Sequence, residues 1–301
     1  MESASPARIE ARLQAARGKP QPITLGGRVR IIGRTAGLAA GLLLLVPLHY
    51  LWRFLRIGSP WPRIYLAWAT LCAGARVERI GTPLKRDVFY ISNHCSWIDI
   101  LAIAGASGTA FVAKAELRKA PVVGWLATLN RTVFVSREDR LGVAEQINRL
   151  REALAENWSV TVFPEGTTTD GRSLLPFKSP LLKVLEPPPA GVLVQPVLLD
   201  YGEVGPDIGW IGDEHGKDNA LRVLARKGTF PLRITFLDPF DPRDFPGRKA
   251  IAAESMRRIR EALGEALGHD VPTFIGHDVW AGRAANSPSP LGEGLIKSAL
   301  Y

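Results

Sequence analysis

Short β-rich runs alternate with helical stretches from about residue 80 to residue 267, and this alternation constrains the fold more than any other feature of the chain. Residues 87–92 (DVFYIS) read as a buried strand, followed by a helix over 97–104. A second strand over 109–113 leads into a helical stretch at 116–129 that Pro121 interrupts early. Residues 132–136 (TVFVS), 159–163 (SVTVF), 193–199 and 232–237 read as four further strands. Apolar residues recur at helical spacing over 140–157, through Leu141, Ala144, Ile147, Leu150 and Leu154, and an amphipathic helix is predicted over 250–267. Strands separated by helices predict an α/β fold: a mostly parallel central sheet flanked by helices, with functional residues at the strands' C-terminal ends. One large domain over 80–268 accommodates these elements, and the Gly, Ser and Pro clusters of 269–301 predict a loosely ordered tail.

Ahead of this domain, residues 1–34 form a polar, Arg-rich segment, and an apolar run follows at 35–52, TAGLAAGLLLLVPLHYLW. The run starts too far into the chain for a removable signal peptide, and no small-residue cleavage site follows it. A helix over these 18 residues is about 27 Å long, just short of a bilayer core of about 30 Å. Pro47 and His49 weaken it further as a spanning helix. A second apolar stretch, 64–75, sits behind Pro60 and Pro62 and is too short to cross. Trp52, Trp61 and Trp68 have the amphipathic rings that rest at headgroup level. Arg53, Arg56, Arg63 and Arg76 can snorkel to anionic phosphates. Residues 35–76 therefore read as a membrane-associated helical pair, inserted shallowly or spanning once, with its basic flanks cytoplasmic; a buried core helix is the alternative for runs of this length.

The formal charge of +9, from 38 Lys and Arg against 29 Asp and Glu, suits a lipid surface, a phosphorylated substrate or nucleic acid. The bases cluster beside apolar and Trp-rich stretches, which is the membrane pattern and argues against a nucleic-acid partner. Only two cysteines occur, in unlike contexts, and no two of the five histidines are spaced as metal ligands, so neither a disulfide framework nor a metal site is expected.

Two segments carry chemistry. Asn93-His94-Cys95-Ser96-Trp97-Ile98-Asp99 directly follows a predicted strand. His94 and Asp99, five apart, would lie about 140° apart on one helix, so they meet only if His94 stands on the loop and Asp99 in the first helical turn. Asp99 can then hold one imidazole nitrogen and leave the other as a base, with an exogenous hydroxyl as nucleophile. Ser96 to Asp99 equally fits a helix capping box, and one carboxylate has lone pairs enough for both duties. The second segment, Phe163-Pro164-Glu165-Gly166-Thr167-Thr168-Thr169-Asp170-Gly171, also follows a strand, and its backbone N–H groups and hydroxyls can meet an anion. Glu165 can accept a bond from a substrate hydroxyl; an ordinary strand-to-helix turn is the bland alternative.

Taken together, the two segments resemble the glycerolipid acyltransferase family, typified by bacterial 1-acylglycerol-3-phosphate acyltransferases. That family has an Asn-His-x-x-x-x-Asp block, matched by Asn93 to Asp99, and a Phe-Pro-Glu-Gly-Thr block, matched by Phe163 to Thr167. Its Lys-x-Glu-Leu element is similar to Lys114 with Glu116 and Leu117, its strand ending in Arg to Val133 through Arg137, and its final Val-x-Pro block to Val194-Gln195-Pro196. The blocks keep their order over about residues 80–240, and several in order are far more specific than one.

The resemblance implies a membrane-bound O-acyltransferase that moves a fatty acyl group from an acyl thioester, acyl-CoA or acyl-ACP, to a lysolipid hydroxyl. It implies His94 as general base, Asp99 as the group orienting it, and Lys114, Arg137 and the backbone of Gly166, Thr167 and Thr168 as binders of an acceptor phosphate or carboxylate. Attack is direct, so Cys95 and Ser96 are not nucleophiles, and no metal or bound cofactor is implied. The implied partners are lysolipid, acyl carrier and membrane lipid, at the inner membrane with the catalytic domain facing the cytoplasm.

Two departures bear on the acceptor. The family often has Arg after Glu-Gly-Thr where this chain has Thr168, and Arg131 stands at a position usually Gly. A missing guanidinium removes a bidentate phosphate partner, for which Arg172 or Arg131 can compensate. The leading acceptor is then 1-acyl-sn-glycerol 3-phosphate, with lyso-ornithine lipid or another lysophospholipid as the alternative. A serine hydrolase is disfavoured by the lack of a Gly-x-Ser-x-Gly elbow, and a non-catalytic lipid-binding protein would give His94 no special reason to be His.

Overall fold

The computed structural model describes residues 6–119, 121–135, 143–155 and 159–272. The elements in chain order are α1 (Pro6–Ala16), α2 (Leu25–Phe54), α3 (Trp61–Cys72), β1 (Ala75–Ile80), β2 (Val88–Ser92), α4 (Ile98–Ser107), β3 (Ala110–Lys114), α5 (Pro121–Leu129), β4 (Val133–Val135), α6 (Val143–Ala155), β5 (Ser159–Val162), β6 (Leu193–Asp200), α7 (Gly205–Ile208), α8 (Gly216–Ala225), β7 (Phe230–Phe236) and α9 (Arg248–Leu267). Short 3₁₀ turns at Ala115–Lys119 and Pro180–Leu185 complete the framework.

The seven strands form one sheet in the order β1-β7-β6-β2-β5-β3-β4. All neighbours run parallel except β6 and β7, so the expected mostly parallel sheet is present. β2 lies at its centre and is buried on both faces, as a near-continuous apolar run requires. Its side chains alternate: Val88 and Tyr90 join a core that includes Ala69 of α3, Ile98 and Ile103 of α4 and Phe111, while Phe89 and Ile91 join Ile147 and Leu150 of α6 and Ile251 of α9. Helices α2 to α5 therefore cover one face, and α6 and α9 the other.

The N-terminal region departs from expectation in three ways. Residues 6–16, read as part of an open basic segment, form α1, which docks through an Arg8–Asp207 ion pair and an Arg12 bond to the Gly209 carbonyl. The long helix begins at Leu25, ten residues before the apolar run. Thr24 caps it by accepting a bond from the Gly27 N–H at 3.1 Å. The arginines that follow continue it, and Arg34 donates to Ala73, Val223, Leu224 and Gly228 carbonyls at 2.7–3.3 Å, clamping the ends of α3 and α8. Residues 75 and 76, assigned to the helical pair, instead open β1. That strand exposes five of its six residues, so it lacks the buried alternation that marks a strand in sequence. α8 is also new; its apolar content is too sparse to reveal it.

α2 and α3 do form the expected pair, packed antiparallel. At Gly41 an added Cβ would stand 2.6 Å from Trp68 Cδ1, so only glycine allows this approach. Trp68 Nε1 donates to the Gly37 carbonyl at 2.9 Å, and Trp52 meets Trp61 edge-on at 5.2 Å. Arg63, read as a phosphate-seeking flank, donates instead to the Gly105 and Ala106 carbonyls at the end of α4, whose partial negative charge attracts it. α2 has 30 residues and a stretch of mean hydropathy 1.9, long and apolar enough to cross a membrane. From residue 273 the expected tail lies outside the described residues.

Candidate active site

Three neighbouring strands, β5, β2 and β6, end at the same edge of the sheet. The segment after β2 contains His94, that after β5 contains Glu165, and Tyr201 follows β6 directly. Parallel pairing alone thus joins chain positions 71 and 36 residues apart.

His94 stands on the loop and Asp99 in the first turn of α4, the arrangement their spacing demands. Nδ1 lies 2.8 Å from Asp99 Oδ2. A carboxylate only accepts, so the ring proton sits on Nδ1 and Nε2 is left as an acceptor. The same Oδ2 also accepts from the N–H groups of Cys95 at 2.6 Å and Ser96 at 2.9 Å. Asp99 therefore does both jobs allowed by the sequence: it holds the imidazole and satisfies the helix start. The Ser96 hydroxyl accepts only a long bond, 3.4 Å, from the Ile98 N–H.

The rest of the loop is fixed at nearly every polar group. Asn93 clamps Leu199 of β6, accepting from its N–H at 2.8 Å and donating to its carbonyl at 3.0 Å. The His94 N–H donates to Glu165 Oε1 at 2.7 Å, and its carbonyl accepts from the Thr169 N–H at 2.8 Å. The imidazole stacks on Phe163, centroids 4.1 Å apart and planes 14° apart, and Phe163 in turn stacks on Phe111 at 5.8 Å. The side chain of His94 is 17% exposed while that of Asp99 is fully buried, so the imidazole reaches the surface and the carboxylate does not.

Glu165 occupies a different place from the one its motif implies. It is 1% exposed and both oxygens are engaged by backbone: Oε1 by His94 and Oε2 by the Leu175 N–H at 2.8 Å. It ties the two motifs together instead of facing a substrate hydroxyl. Burial pushes its carboxyl up to about 8, against the pull of the two N–H bonds. Thr168 is buried and its hydroxyl donates to the Trp210 carbonyl, while the Trp210 N–H donates to the Cys95 carbonyl at 2.9 Å. Trp210 thus straps both motifs from a segment with no recognisable pattern.

Gly166 has φ +77°, a left-handed conformation that favours glycine, and the Lys178 ammonium lies 3.3 Å from where a Cβ would stand. That places a cation over the turn of Gly166 and Thr167, a feature missed in sequence although Lys178 is only twelve residues on. Arg172 points to Glu203 at 3.4 Å. Arg131 precedes β4, at the opposite end of the sheet from His94, and does not compensate for the arginine replaced by Thr168. Lys114 closes β3, two strands from β2, and Arg137 lies outside the described residues.

Tyr201 is the other residue that sequence reasoning missed. Fully buried, it donates its hydroxyl to Asp99 Oδ1, and burial holds the phenol well above its ordinary range, so it stays a neutral donor. Tyr201→Phe is expected to cost about 1.5–3 kcal/mol of stability, the worth of a bond to a charged group. Thermal unfolding measures that loss; a variant as stable as wild type would show that Asp99 is held without the phenol.

A family model described as Acyltransferase matches residues 76–200. The chain is 32% identical over 266 residues to "Lyso-ornithine lipid O-acyltransferase" of Brucella abortus (strain 2308), covering 82% of this chain and 98% of that protein. It is 37% identical over 210 residues to "1-acyl-sn-glycerol-3-phosphate acyltransferase" of Neisseria meningitidis serogroup B, covering 65% of this chain and 77% of that one. Among solved structures, the 1-acyl-sn-glycerophosphate (LPA) acyltransferase PlsC from Thermotoga maritima superposes with a TM-score of 0.59 at 24% identity, over 79% of this chain and 97% of that chain, a likeness of fold.

Proposed function

The chain belongs to the acyltransferase family, and from that premise we propose that it transfers a fatty acyl group from an acyl thioester to the hydroxyl of a membrane lysolipid, with His94 as general base. The observation that carries this reading is the His94–Asp99 pair: an imidazole with Nδ1 committed to a buried carboxylate and Nε2 left to accept a proton.

Nε2 takes the proton of the lysolipid hydroxyl as its oxygen attacks the thioester carbonyl carbon. The C–O bond forms, the tetrahedral centre collapses, the C–S bond breaks, and the thiolate leaves with the proton held on Nε2. Ester and thiol result, with no acyl-enzyme. Asp99 stabilises the imidazolium between the two proton transfers, and its four hydrogen bonds keep it in place. The Gly166–Thr168 turn, Lys114 and Arg137 are assigned to the acceptor headgroup on motif grounds, and the Lys178 ammonium beside Gly166 adds positive charge there.

For the acceptor we favour lyso-ornithine lipid over 1-acyl-sn-glycerol 3-phosphate. Thr168 replaces a phosphate-binding arginine and is spent on the Trp210 carbonyl, a loss that a headgroup carboxylate tolerates better than a phosphate dianion. The glycerophosphate reading is supported in turn by the Neisseria relative. Each lysolipid is to be supplied with labelled acyl-CoA or acyl-ACP. Preferential diacylation of lyso-ornithine lipid is expected; preference for the glycerophosphate reverses the assignment, and thioester consumption without any lysolipid makes the protein a hydrolase.

The site of action is the membrane, which we place at the cytoplasmic face, where both acyl carriers are found. α2 is tied to the domain at Arg30 and Arg34 near one end and to α3 along the other half. Its exposed apolar positions, among them Leu25, Val29, Ile32, Ala36, Leu43, Leu44, Tyr50, Leu51 and Phe54, run along its whole length. We read α2, docked on the domain through one face, as embedded in the leaflet next to the domain.

A further inference from the structure

α5 is a second apolar surface, separate from α2 in the chain. Its sequence, PVVGWLATL, has no charge. Leu126 and Leu129 turn inward and line a cavity with Leu42, Leu45 and His49 of α2 and Tyr65 of α3. Val122, Val123 and Trp125 turn outward, 56%, 54% and 38% exposed. Exposed Arg118 and Lys119 precede the helix, and exposed Arg131 follows it.

We infer that α5 is a membrane-contact element of its own, inserting Val122, Val123 and Trp125 into the same leaflet as α2. The inference rests on the membrane-bound reading above. Lipid is the occupant for two reasons. The apolar surface adjoins that of α2, because the two helices face each other across the cavity lined by Leu45 and Leu126. Bases at both ends of an uncharged helix complement anionic headgroups, with Trp125 at the depth its indole prefers. α5 also descends from β3, whose C-terminal end shares the sheet edge with the His94 loop. Insertion of Val122 and Val123, which follow that end of β3, therefore brings this edge and the His94 loop toward the headgroup layer. A lysolipid then reaches His94 without leaving the bilayer.

The test uses full-length protein in which Cys72→Ala removes the partly exposed thiol and buried Cys95 is kept. An environment-sensitive fluorophore is attached in turn at Leu44→Cys on α2, Val123→Cys on α5 and Glu265→Cys on α9, and each protein is reconstituted into vesicles containing anionic phospholipid. Folding is checked by circular dichroism. A quencher carried on lipid chains is expected to remove most emission at 44 and 123 and little at 265, with iodide giving the reverse. Quenching by lipid at 44 together with iodide access at 123 overturns the role of α5 and leaves membrane binding intact. Failure at both 44 and 123 overturns the membrane reading as well. Shielding of 123 from both quenchers assigns the face to a second protein copy, which also overturns the proposal.

Discussion

Replacing His94 with alanine is expected to lower acyl transfer by roughly 10²–10⁴-fold, the contribution of a positioned general base. The loss is expected to fall on turnover, because in the proposed step Nε2 takes the proton released as the ester bond forms and has no part in acceptor binding. The fold has little stake in the imidazole. The loop is fixed by main-chain bonds to Glu165 and Thr169 and by the Asn93 clamp on β6, none of which uses the ring. What the ring supplies structurally is its stack on Phe163, at a position still partly open to solvent, and one of four bonds to Asp99, which keeps the other three. His94→Ala is therefore expected to remain folded and to sediment with vesicles like wild type. Turnover is read with labelled acyl thioester against lysolipid. Near-wild-type turnover in this variant would remove the dyad from the mechanism; lost activity accompanied by lost membrane binding or folding would mean that the imidazole is structural.

The His94–Asp99 contact was legible because two local constraints coincide. A histidine and a carboxylate five apart, straddling a strand end and a helix start, have only one way to meet, and the structure adopts it. The parallel sheet was legible from the same alternation, and it explains why motifs 71 residues apart become neighbours. The bonds that hold the pair were not legible. Tyr201 sits one residue beyond β6 in no motif, and its relevance comes entirely from β6 lying beside β2. Trp210 straps both motifs from a segment with neither helical nor strand periodicity. The N-terminal arginines misled for a related reason. Charge composition announces affinity for something negative, but helix C-terminal carbonyls are negative too, and Arg34 and Arg63 are spent on them. β1 escaped notice because an exposed strand is defined by its partner β7 rather than by its own pattern.

Glu165 reverses the reading of its motif most completely, and its removal is expected to have the second large effect. Glu165→Ala strands two buried N–H groups, those of His94 and Leu175, and leaves a void beside the catalytic loop. Each unsatisfied donor costs about 1–3 kcal/mol, so a loss of about 2–6 kcal/mol is expected by thermal unfolding in detergent, with turnover falling as His94 loses its main-chain anchor. Glu165→Gln keeps the size but offers only one accepting oxygen, and it isolates the role of ionisation. The wild-type carboxyl is pushed from an ordinary 4.5 up to about 8 in the fold, burial being the main cause. Between those values the native state binds a proton that the unfolded chain has released. Stability associated with Glu165 is thus fully present below about pH 4.5 and is lost as pH rises toward about 8. Glutamine does not titrate, so the stability difference, wild type minus Glu165→Gln, should shrink as pH is raised from 5 to 8. A difference that stays constant or widens over that range would show that Glu165 remains ionised in the fold, its two backbone donors outweighing the cost of burial. The motif's carboxylate would then act as a charged anchor for the loop, still without touching substrate.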